Sequence, residues 1–158
     1  MTVNNSERTP LPPRWFIRFF WHAHRALFRW TGGRIGLKRP KGNSWGTMRL
    51  TTIGRRSGLE RSVMLGYFED GPDLVTLAMN GWAEGEPAWW LNLQAQPEAT
   101  VHVVGERRVV VGGAVTGEER SRLWDRWREI DTNLDGYAAL RSGETAVVIL
   151  APVSSSDA

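Results

Sequence analysis

The chain has 158 residues, 41% hydrophobic and 23% charged, with no cysteine and a formal net charge of +3. That length predicts one domain with a sizeable core, its composition excludes a disordered chain, and the missing cysteine excludes disulfides and thiolate metal sites. The charge is uneven: residues 1–61 hold 13 Lys/Arg against 2 Asp/Glu, while residues 62–158 hold 7 against 15.

Residues 1–13 are polar and proline-rich and predict a disordered lead-in. Residues 14–30 predict a helix, closed by Gly32 and Gly33. Phe16, Phe20, Ala23, Leu27 and Trp30 share one stripe, and Arg14, Arg18, Arg25 and Arg29 share the opposite one. Two readings stand for this segment, 14–33: it packs on the domain, or it lies among lipid headgroups with its arginines on phosphates. Arginines interrupt every apolar stretch that a signal peptide would need. No apolar run reaches the length of a membrane span.

Residues 34–153 predict the domain proper, and 154–158 a tail. After a basic loop to residue 44, strands are expected over 45–53, 62–68 and 74–79, as an antiparallel meander turned at Asp70-Gly71-Pro72-Asp73. A helix is expected over 82–96, with Pro87 in its first turn, Glu84 and Glu86 near its positive end, and Pro97 stopping it. Trp89, Leu93 and Gln96 share one face of it, and Trp90 and Leu91 point elsewhere. Strands over 100–104 and 109–115 flank Gly105. Thr116-Gly117-Glu118-Glu119 has capping-box spacing and opens a helix with Leu123, Trp127, Ile130 and Leu134 on one side. A further turn over 137–141 leads to a closing strand, TAVVIL, with too little polarity for an exposed edge. About six short strands at near-regular spacing predict a mainly β fold, a small antiparallel barrel with peripheral helices.

The stretch with most chemistry is LTTIGRRSGLER, Leu50 to Arg61. Gly54 and Gly58 bracket Arg55, Arg56 and Ser57, so the backbone can turn N–H groups inward beside forked cationic donors. With Arg61 pointing back, this forms a cradle for phosphate or carboxylate. The competing reading is a hairpin turn with solvated arginines. His22, His24 and His102 supply no metal-ligand spacing, and no GxSxG, GxGxxG or Walker pattern occurs, so no metal site is expected. The basic residues are split between a helix and a turn with no recognition motif, so no nucleic-acid partner is expected. Trp82, Trp89 and Trp90 stand within nine residues and read as core or as ligand wall. An anion cradle beside indoles suits a cofactor that brings its own chemistry.

The runs TTIGRRSGLER, YFEDG, EGEPAWWLNLQAQPEATV, GEERSRLW and TAVVILAP, in this order over residues 45–152, resemble the deazaflavin-dependent nitroreductase family. The resemblance implies an FMN-binding-like split β-barrel of about six antiparallel strands. It implies binding of the deazaflavin coenzyme F420 and hydride transfer from the reduced coenzyme to a quinone, with nitroaromatics as adventitious acceptors. By motif position, Gly54, Arg55, Arg56, Ser57, Gly58 and Arg61 would hold the phosphate and the anionic tail, with Met64 also counted among the cofactor-binding residues. Met79, Asn80, Gly81 and Trp82 would form the loop beside the deazaflavin ring, and Trp89 and Asn92 would contact it. Tyr137 would line the acceptor pocket as the candidate catalytic residue. The family's N-terminal segment implies a cytoplasmic protein with a peripheral seat on anionic membrane through Arg14 to Trp30. Asn80 stands where a lysine is common, Trp90 and Leu134 replace tyrosines, Gly143 an arginine and Ala146 a proline, which makes the acceptor side more apolar. The alternatives are an FMN-binding oxidoreductase, for which one phosphate would fill the cradle, and a non-catalytic lipid-binding protein of the same fold.

Overall fold

The computed structural model describes residues 36–154. The expected lead-in, the expected helix over 14–30 and the last four residues of the tail lie outside them. Strands β1 (Gly46–Ile53), β2 (Glu60–Asp70), β3 (Asp73–Leu77), β4 (Glu98–Val103), β5 (Glu106–Ala114) and β6 (Val147–Pro152) carry the fold. They pair antiparallel in the order β1-β2-β3-β6-β5-β4 and close a barrel. Helices α1 (Ala88–Ala95), α2 (Gly117–Ile130) and α3 (Leu134–Ala138) complete it. The expected meander and the mainly β barrel are both present.

Alternation along β1 sets the barrel's inside and outside. Met48, Leu50 and Thr52 are buried, and Thr47, Arg49 and Thr51 between them are only partly so. Leu50 pairs with Val63 of β2 and Val101 of β4, which places those two inside as well. Lys38, expected in a loop, makes a bridge to Thr47 that extends the pairing.

The run TAVVIL lacks alternation because both of its faces are covered. Val148 and Leu150 point into the barrel with Leu74. Val147, with Val75 and Leu77 of β3, points outward into a second core of Phe68, Leu123, Trp124, Trp127 and Leu134 beneath α2 and α3. Arg126 lies over the Phe68 ring at 4.2 Å, and Trp127 tilts against the same ring at 5.1 Å. Arg122 forks onto the Asp70 carboxylate at 3.0 and 2.7 Å, which holds that carboxyl below its usual range and ties α2 to the β2–β3 turn.

The α1 helix plugs the barrel. Trp89, Trp90 and Leu93 are buried among Met48, Leu50 and Val110. Trp90 was expected to point away, but it is 6% exposed and meets Trp89 edge-on at 6.2 Å. The barrel mouth surrounds the helix, so two adjacent faces are covered. Gly112 makes room for this plug: an added Cβ would stand 2.3 Å from Leu93 Cδ2 and 3.0 Å from Leu150 Cδ2. Gly112→Ala is expected to cost about 1–3 kcal/mol through overpacking, read as a lower thermal midpoint by circular dichroism. An unchanged midpoint would mean that α1 sits loosely in the barrel.

Two helix starts differ from expectation. α1 begins at Ala88 after Pro87, not at residue 82, because Gly81, Trp82 and Gly85 take φ of 57°, 60° and 86°, which no right-handed helix accepts. α2 begins where the capping box predicts, but the Thr116 side chain makes no cap hydrogen bond. Gly117 at φ 63° turns the chain there instead.

Antiparallel order sends all long connections to one end of the barrel. Residues 54–59, 78–97 and 115–146 leave from that end, while two-residue turns at 71–72 and 104–105 close the other. Of the motifs singled out in the described chain, the basic cradle, the Trp82 loop and Tyr137 therefore share one rim.

Candidate cofactor-binding site

The cradle is a tight loop locked from beneath. Gly54 N–H donates to Leu59 O at 2.8 Å, Gly58 N–H to Gly54 O at 2.8 Å, and Leu59 N–H to Ser57 Oγ at 3.2 Å. Gly58 turns at φ 69°. A Cβ on Gly54 would lie 2.6 Å from Ser57 Oγ and 3.5 Å from Arg61 Cγ, so only glycine lets the loop close under the Arg61 stem.

Asn92 of α1 joins the plug to the cradle. Its Oδ1 accepts the Arg55 backbone N–H at 3.1 Å and Arg55 Nη1 at 3.2 Å, and its Nδ2 donates to Thr52 Oγ1 at 3.2 Å. Asn92 and Thr52 are both buried. The amide therefore faces the loop and the strand.

Arg55, Arg56 and Arg61 are exposed on this rim. Arg108, Arg120, Arg122, Arg126, Arg128 and Arg141 each pair with a carboxylate, and none of those pairs involves the cradle's three. Three guanidiniums with no carboxylate partner among the described residues, on a backbone-stiffened loop and the start of β2, fit a ligand carrying several negative charges.

The second group lies across the rim. Met79 and Asn80 are exposed, and Asn80 O accepts Ala83 N–H at 3.0 Å. Gly81 and Trp82 follow with left-handed backbone, and the Trp82 ring stacks on Tyr137 at 6.2 Å and 25°. The Asp135 carboxylate fixes the short α3 that carries Tyr137. It accepts Trp124 Nε1 at 2.9 Å and Arg128 Nε at 2.8 Å, and these bonds hold its pKa below the usual value.

The structure thus gathers Gly54, Arg55, Arg56, Ser57, Gly58, Arg61 and Asn92 into one group, and Trp82 and its loop with Tyr137 into another. It does not bring Met64 to either. Met64, on β2, pairs with Arg49 of β1 and lies between Val63 and Leu65, which face inward, so its side chain is on the barrel's outer face. Trp89 is inside the mouth, in the core. Leu134, which the resemblance put at an acceptor-pocket position, is 1% exposed and packs in the outer core. One residue tied to the cradle escaped sequence reading: Thr52, bonded to Asn92, was signalled only by its inward phase on β1.

The six-stranded antiparallel barrel is of the split type found in F420-dependent reductases. The sequence profile described as F420H(2)-dependent quinone reductase matches residues 21–152. The chain belongs to this family, whose members draw on coenzyme F420. An F420H(2)-dependent quinone reductase of Mycobacterium tuberculosis (strain H37Rv) is 30% identical over 130 residues, covering 80% of this chain and 86% of that one. Among solved structures, an F420-H2 dependent reductase, FDR-A, is similar with a TM-score of 0.60 at 25% identity, covering 66% of this chain and 92% of that one. Another, described as a domain-swapped dimer, is similar with a TM-score of 0.64 at 25% identity, covering 88% and 99%.

Proposed function

We propose that this protein is an F420-dependent oxidoreductase whose cradle holds the coenzyme's phosphate and anionic tail, and whose Trp82–Tyr137 side receives a lipophilic quinone. The observation that carries this is the convergence of Arg55, Arg56 and Arg61, all exposed and none paired with a carboxylate among the described residues, on one hydrogen-bonded turn. The bound reduced coenzyme supplies the hydride. The chain's own part is binding and orientation: Ser57 and the Gly54–Gly58 backbone line the anion seat, and Met79 to Trp82 border the ring. Tyr137 presents a phenol that can donate a hydrogen bond to an acceptor carbonyl, on a ring held in place by Trp82.

The test is anaerobic oxidation of the reduced coenzyme with a soluble naphthoquinone. Wild type should turn over, and Tyr137→Phe should lose about 10- to 100-fold in kcat/KM with coenzyme affinity unchanged. Absence of turnover with any quinone would overturn the reading.

No described helix is long and apolar enough to cross a membrane. The arginine and aromatic stripes of residues 14–30 support a peripheral seat on the cytoplasmic face of an anionic membrane. Co-sedimentation with anionic against neutral vesicles tests it.

A further inference from the structure

A guanidinium buried beneath the Trp82 loop has no part in the reading above. Arg141 has a side chain only 2% exposed. Its Nη1 donates to Ala78 O at 3.0 Å and Thr145 Oγ1 at 2.9 Å, and its Nη2 donates to Gly85 O at 3.0 Å and Glu86 Oε1 at 3.3 Å. Ala78 is where the chain leaves β3, and Gly85 and Glu86 are where it approaches α1. One planar fork therefore clamps both feet of the loop 79–84 to the segment that begins β6. A second latch lies outside it: Glu84 accepts Ser142 N–H at 2.9 Å and Ser142 Oγ–H at 2.8 Å.

The loop needs a clamp. Gly81 and Trp82 are consecutive left-handed residues, and for a side chain as large as tryptophan that backbone is strained. Such a conformation persists only where its surroundings hold it. Within the loop there is one short turn, Ala83 N–H to Asn80 O. The Trp82 ring itself stacks on Tyr137, four residues before Arg141, and packs against the outer core.

We propose that Arg141 is a positioning residue for the acceptor: by pinning both feet of the 79–84 loop it keeps Trp82 on Tyr137 and so sets the acceptor-side wall. It rests on the acceptor reading above. The cradle is held separately, by Asn92 and Thr52, so loosening this clamp leaves the anion seat in place.

Lysine keeps the charge but lacks the planar fork, and one ammonium cannot reproduce the bidentate span from Ala78 to Gly85. In Arg141→Lys without coenzyme, amide hydrogen exchange of residues 79–86 should rise at least about tenfold while that of 54–61 holds. The quinone KM should rise about tenfold or more, and the coenzyme, whose phosphate and tail stay in the cradle, should lose clearly less affinity than that. Should the lysine variant not fold, Glu84→Ala/Glu86→Ala loosens the same feet from the surface and should give the same split at smaller size. Unchanged exchange in 79–86 would overturn the proposal. So would exchange rising across the whole chain, or coenzyme affinity falling in step with the quinone KM, since either marks a general structural role. Normal exchange behaviour of this loop with no quinone turnover in wild type would overturn the acceptor reading while leaving the clamp itself demonstrated.

Discussion

With Arg55 and Arg56 both replaced by alanine, affinity for coenzyme F420 is expected to fall about 100- to 10,000-fold, at about 1.5–3 kcal/mol for each charge-assisted hydrogen bond lost. The wild-type affinity should also weaken with added salt, because these guanidiniums are solvent-exposed and screened. The thermal midpoint should hardly move. Neither arginine makes an ion pair among the described residues, and although Arg55→Ala removes the Nη1 hydrogen bond to Asn92, the Arg55 backbone N–H keeps Asn92 Oδ1 satisfied. Isothermal titration at two ionic strengths measures both effects. Equal affinity in wild type and double variant would mean that the arginines are ordinary solvated turn residues.

Asn92→Ala should act on stability and binding together. It strands the Arg55 backbone N–H and leaves Thr52 Oγ1, fully buried, without its donor. The expected cost is about 2–4 kcal/mol, seen as a lower urea midpoint at unchanged slope. Coenzyme affinity should drop at least about tenfold, because a cradle no longer tied to α1 must be ordered by the ligand. The contrast with the arginine pair is diagnostic. Those variants lose affinity at constant stability, whereas this one loses both. Loss of stability alone would make Asn92 a core residue with no bearing on the site.

These two predictions differ in how far the sequence alone could lead to them. The turn at residues 54–58 was legible because its conformation is local: two glycines, two arginines and a serine lie within five positions, and Gly58 takes the left-handed backbone that closes it. The β1 phase was legible because only one of its faces is well buried. Elsewhere coverage hid the period. Met64 and Phe68 point out of the barrel yet are buried, so β2 carries apolar residues on both faces and the facing of Met64 could not be read. The tie between Asn92 and Arg55 spans 37 positions, and the clamp from Arg141 to Ala78 spans 63; neither leaves a periodic trace. The late start of α1 was hidden for a different reason. Trp82 takes a left-handed backbone that its residue type disfavours, and tertiary contacts hold it there.

The cradle is the centre of the account, and a titration tests it most directly. Oxidised coenzyme F420 and, separately, FMN would be added to the purified chain while tryptophan emission is followed, in wild type and in Arg55→Ala/Arg56→Ala. Trp82 at the rim should report a ring placed beside it. The account predicts tight quenching by F420, weak quenching by FMN, and loss of the F420 signal in the variant. Tight FMN quenching would keep the barrel and replace the cofactor. Quenching by neither would contradict the cofactor site itself and turn attention to a lipid ligand.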